Sequence, residues 1–80
     1  MSRTDDYNRL LELKKLIDRK QASKEEEREF IDLMYSGNRI SEEQYENYMS
    51  NKNADDILQA AITIGGVLLA VWLIKKLIND

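Results

Sequence analysis

The chain has no cysteine and no histidine. Disulfides, thiolate chemistry, imidazole bases and the usual zinc ligands are thereby excluded, and with them most enzyme mechanisms. Its 12 basic residues are outnumbered by 15 acidic ones, giving a net charge of -3, and they form no run longer than two. Phosphate binding needs concentrated positive charge, so no nucleic-acid partner is expected. A Gly-rich phosphate loop is missing, and no serine has a visible base to activate it. The N-terminus carries no signal-peptide pattern, because Met1 to Asn8 is polar and includes Asp5 and Asp6. With 80 residues there is room for one small module and an anchor. The expectation is a non-enzymatic protein with no catalytic residues, no cofactor, no metal site and no small-molecule substrate.

What is present is a run of 18 uncharged residues, Ile57 to Ile74. A helix rises about 1.5 Å per residue and the hydrocarbon layer is about 30 Å thick, so this run predicts a transmembrane helix at the short end of the range. Leu77 and Ile78 lengthen it if Lys75 and Lys76 lift their ammonium groups to the interface. Trp72 stands beside these lysines, where an indole suits the headgroup boundary. Together the three are the expected interface anchors. The alternative is a buried helix of a soluble core, which would have to be wrapped all round. The remaining residues, rich in Glu, Lys and Asp, are not expected to wrap it.

The N-terminal part reads as short amphipathic helices. Thr4 is positioned to cap the first, with Asp5 and Asp6 at the positive end of its dipole and Leu10, Leu13 and Ile17 on one face. Ser23-Lys24-Glu25-Glu26 fits a capping box and starts a second helix bearing Phe30, Ile31, Leu33 and Met34, which stops at Ser36-Gly37-Asn38 with Gly37 expected in the left-handed conformation. Ser41-Glu42-Glu43-Gln44 is a second capping box, with Ile40 placed to staple onto Tyr45. An offset of 18 residues superimposes Leu16, Ile17, Ala22, Ser23, Glu25 and Glu26 on Met34, Tyr35, Ile40, Ser41, Glu43 and Gln44. Duplication and the general likeness of capped helices both explain it. The fold class predicted is all-α: a small N-terminal bundle of two to three short helices followed by one C-terminal transmembrane helix. The boundaries are a module at 1–49 with helices near 5–20, 24–35 and 42–49, a connector at 50–53, and the membrane helix at 54–78.

Leu33 to Met49, LMYSGNRISEEQYENYM, resembles the short helical hairpins of the SHOCT type, in a pattern of Leu-containing helix, Gly, aliphatic residue, Ser or Thr, acidic residues and an aromatic. The resemblance implies an interaction or oligomerisation hairpin attached to a membrane segment, with no active site. An EF-hand reading of this stretch fails: with Gly37 at loop position 6, Met34 falls at position 3 and Ile40 at position 9, neither of which offers an oxygen ligand. Glu25, Glu26, Glu27 and Glu29 point in different directions on a helix and read as a solvated face.

Within the apolar run, Gln59, Thr63, Gly66 and Ala70 recur at spacings of 4, 3 and 4 and so form one stripe. Small and polar residues on one side allow helix association in lipid, which makes this stripe the expected packing site. Ala61 and Gly65 give a small-xxx-small spacing on a neighbouring face. Tyr35, Tyr45 and Tyr48 are candidates for a partner contact, Tyr45 being also a candidate for the hairpin's own core. The positive-inside rule favours a cytoplasmic C-terminus, whereas a tail anchor with the module in the cytoplasm is the simpler insertion and is preferred. The function expected is a membrane-anchored adaptor or structural subunit in a bacterial inner membrane or the internal membrane of a phage or virus particle. Its partners would be the bilayer and either another protein or a second copy. A holin-like or toxin-like pore former is the alternative.

Overall fold

The computed structural model describes residues 3–79, and side chains from 6 to 78. Four helices follow in order: α1 (Arg3–Asp18), α2 (Lys24–Ser36), α3 (Glu42–Met49) and α4 (Ala54–Asn79). The first three are short, and α4 is long and apolar enough to cross a membrane. The cap expected at Thr4 lies outside the described side chains.

Local signals set the helix starts. Ser23 Oγ accepts from the Glu26 amide at 3.1 Å while Glu26 Oε1 accepts from the Ser23 amide at 2.8 Å. Ser41 and Gln44 repeat this reciprocal pair at 3.1 and 2.9 Å. Each box satisfies two of the amides that a helix N-terminus leaves without partners.

The helix ends are alike too. After α1 the amides of Lys20 and Gln21 donate to the carbonyls of Ile17 and Leu16; after α2 those of Asn38 and Arg39 donate to Tyr35 and Met34; after α3 those of Asn51 and Lys52 donate to Tyr48 and Asn47. This is the Schellman arrangement three times over. The residue it requires in the left-handed region is Lys20, Asn38 or Asn51, at φ of 58°, 60° and 61°. Gly37 was expected in that role but sits at φ -87°. Asparagine can take the left-handed conformation because its short polar side chain bonds locally, so the turn places Asn38 there instead. The Schellman turn and capping box thus recur at the 18-residue offset: Lys20 with Asn38, Ser23 with Ser41.

The core contains Leu10 and Leu13 of α1, Phe30, Ile31 and Met34 of α2, Ile40, Tyr48 of α3, and Ile57, Leu58, Ala61 and Leu69 of α4. All three short helices therefore rest on α4, and α2 also rests on both α1 and α3. α1 runs antiparallel to α4: Tyr7 stacks on Trp72 with ring centroids 5.3 Å apart, the Lys14 stem lies over Gly66, and Ile17 borders the same groove as Leu58 and Ile62. Partial wrapping of the apolar helix was not anticipated, because composition alone does not show that three amphipathic faces can converge on one side.

Side-chain bonds lock the short helices together. Arg9 grips Glu29 with two hydrogen bonds of 2.6 and 2.7 Å, tying α1 to α2. Tyr45 stacks on Tyr35 at 4.3 Å and its hydroxyl donates to Asp32 at 2.8 Å, tying α3 to α2.

Ser41→Ala is expected to lower stability by about 1 kcal/mol through loss of the α3 cap. Phe30→Ala, which empties a fully buried site, is expected to cost about 3–5 kcal/mol. Urea unfolding followed by helical circular dichroism measures both, and equal midpoints for the two variants would contradict the packing described.

Candidate functional site

The α4 helix has two unlike sides. On the inner side Ile57, Leu58, Ala61, Gly65 and Leu69 are buried against the short helices. Ala61 and Gly65 are the small-xxx-small pair, and they admit the close approach such spacing permits. A Cβ at Gly65 would lie 2.9 Å from Cζ of Phe30, closer than real non-bonded carbons come. Gly65 is thus the point at which α2 reaches the α4 backbone.

The outer side and the far end are bare. Val67, Ile74, Leu77 and Ile78 are 64%, 56%, 80% and 75% exposed, and Ile64, Val71 and Leu73 are exposed as well. Exposed apolar residues of this size on one continuous surface mark a contact with a membrane or a protein. The physical cause is simple: a helix apolar all round needs cover all round, and three short helices cover one side.

The stripe Gln59, Thr63, Gly66 and Ala70 lies at the edge between the two sides. Gln59, Thr63 and Ala70 are exposed, while Gly66 is half-buried under Lys14. The packing within one chain therefore runs through the neighbouring face of Ala61 and Gly65, and not through this stripe. The Thr63 hydroxyl donates to the Gln59 carbonyl at 3.0 Å, so its donor is used within the helix. Trp72 is half-buried against Tyr7, with Lys76 Nζ 5.3 Å from the indole centroid; Lys75 is exposed.

Of the three tyrosines, Tyr48 lies in the core at 8% exposure. Its hydroxyl donates to Glu27 at 3.2 Å. Tyr35 and Tyr45 form their stacked pair at the edge of the core and are half-buried. Sequence reasoning did not single out Gly65 with Phe30, Tyr7 with Trp72, or Lys14 over Gly66. The Gly65-Gly66 pair inside an otherwise bulky run was the available signal.

The shifted titrations belong to groups that join the short helices. Hydrogen bonds from Arg9 hold the Glu29 carboxyl below the usual carboxylate range. Both side chains are more than a third exposed, so solvent screening keeps the contribution of this pair small. Burial, followed by the nearby Glu27 charge and hydrogen bond, pushes Tyr48 up to about 12. The hydrogen bond to Asp32 raises Tyr45.

Compared with known family models, curated proteins and solved structures, the chain matches none.

The pH dependence follows from these shifts. Glu29 titrates lower when folded than when unfolded, so its contribution is present above about pH 4.3 and is lost as pH falls through the folded value. Neutral Tyr48 is favoured by the fold, so its contribution is full below about pH 10 and is lost as pH rises toward about 12. Tyrosinate absorbance during alkaline titration should show a late component that shrinks in Tyr48→Phe, with Tyr45 also titrating above the ordinary value. Titration of all tyrosines together near the ordinary value would contradict this.

Proposed function

We propose that this is a non-enzymatic membrane protein in which α4 enters a bilayer and α1–α3 form a helical interaction module tethered to it. The observation that carries the reading is the bare apolar surface of α4, on a chain whose other helices are charged. A protein partner covers a stripe, but beyond Trp72 the exposed apolar residues come as adjacent pairs, Leu73-Ile74 and Leu77-Ile78. Successive helical residues point about 100° apart and those four apart nearly superimpose, so the four residues spread over an arc of about 140°, wider than the stripe one partner helix covers. Lipid covers an arc of any width. Lys75 and Lys76 among them supply the basic flank that a headgroup region favours.

A structural or adaptor role suits a chain with a small helical module. The pore-forming alternative has less behind it, since one span with only Gln59 and Thr63 as polar side chains offers little to line a water-filled channel. A soluble four-helix protein is a second reading, favoured by the burial of Ala61, Gly65 and Leu69 beneath α1–α3.

Fractionation of bacteria expressing the chain separates them. The protein is expected to sediment with membranes, resist alkaline carbonate and be released by detergent. Val67→Lys with Val71→Lys, each costing about 3 kcal/mol at the centre of a span, is expected to shift it to the soluble fraction. Recovery of the wild-type chain in the soluble fraction would contradict the proposal.

A further inference from the structure

Resting on that reading, we infer that α1–α3 are a removable sheath: the packed fold is the water-borne form, and α4 must part from the three short helices before it can cross a bilayer. The contacts that hold the sheath lie within the segment that would span. They run along α4 from Ile57 and Leu58 through Ala61, Gly65 and Leu69 to Trp72. If α4 crossed with these contacts intact, α1 would be carried into the hydrocarbon beside it. α1 bears Arg9, Glu12, Lys14 and Asp18, and α2 brings Glu27 and Glu29. Charged groups at that depth are costly unless they face a bundle interior or water, and Glu12 and Asp18 are exposed on the outside of the sheath.

The architecture suits such a parting. The connector Ser50 to Asn53 lies outside any α-helix, and Asn51 and Asn53 there take left-handed angles, so rotation there separates α4 from α3 without breaking a helix. The inner side of α4 offers Ile57, Leu58, Ala61, Gly65 and Leu69, which lipid solvates as well as the sheath does. No ion pair or side-chain hydrogen bond joins α4 to α1–α3 among the described residues; the cross-links at Arg9–Glu29, Tyr45–Asp32 and Tyr48–Glu27 all run within the sheath. The sheath can therefore leave as one body.

Gly65 sets the balance, because its missing side chain is what lets Phe30 settle on the helix. Gly65→Leu expels Phe30 yet leaves α4 at least as apolar toward lipid.

The test uses the full chain and vesicles of phosphatidylcholine with phosphatidylglycerol. Trp72 is the only tryptophan, so its emission and its quenching by brominated acyl chains report entry of α4. Gly65→Leu is expected to enter about tenfold faster than wild type, the factor that corresponds to a modest overpacking penalty in the sheathed form. A second variant, Lys14→Cys with Gly66→Cys, is joined by a short cleavable bis-thiol linker; the native chain has no cysteine to interfere. Linked, it is expected to stay out of the vesicles, and cleavage is expected to restore entry. Equal entry of the linked and cleaved forms would overturn the sheath while leaving the membrane reading in place. Failure of the wild-type, cleaved and Gly65→Leu chains alike to enter would overturn both.

Discussion

The approach of Phe30 to the α4 backbone at Gly65 is the contact on which the rest of this fold depends. It draws α2 onto the apolar helix, and the capped turns before and after α2 then bring α1 and α3 to the same side. Ala61 beside it is fully buried, so two small residues one turn apart form the seat. A larger residue at either place would hold the short helices off, and their own apolar faces would be left in water. Such a seat serves water-soluble packing and membrane packing equally, since both reward close backbone approach.

This small chain carries more apolar helix than it can hide. Roughly fifty residues of charged helix yield only a few kcal/mol of net stability without disulfides or metals. Here they cover one side of α4 and stop, leaving Val67, Ile74, Leu77 and Ile78 to the surroundings. The fold thus leaves one side of α4 uncovered in water, and under the proposed function a bilayer is the medium that completes it. The sheath and the bilayer compete for the same inner residues, and that competition is the link between packing and proposed function.

Much of the local structure was legible because its causes are local. The two capping boxes are formed by residues three apart, and Ser23 and Ser41 each stand where their own helix begins. Leu10 and Leu13 were readable as the inner face of α1 from spacing alone. The C-terminal turn of α2 was misread by one residue, because glycine is the commoner occupant and Asn38 tolerates the same angle. Pairings such as Arg9 with Glu29, separated by 20 residues, depend on how helices are brought together and leave no local trace. The inner face of α4 was obscure for a different reason. A helix apolar all round has no periodicity to reveal which side is covered, so only the steric signal of Ala61 and Gly65 was available, and the stripe of Gln59, Thr63, Gly66 and Ala70 competed with it.

The central claim is that packing on the sheath and crossing the bilayer are alternative states of α4. Pulsed electron paramagnetic resonance between spin labels at the exposed positions Asn8 and Lys75 reads the two states directly. In water the labels should be close, because the neighbouring Tyr7 and Trp72 stack at 5.3 Å. In vesicles the account predicts a separation exceeding about 30 Å, the thickness of the hydrocarbon layer between them. A single short distance that persists while Trp72 is quenched by acyl-chain bromine would contradict it.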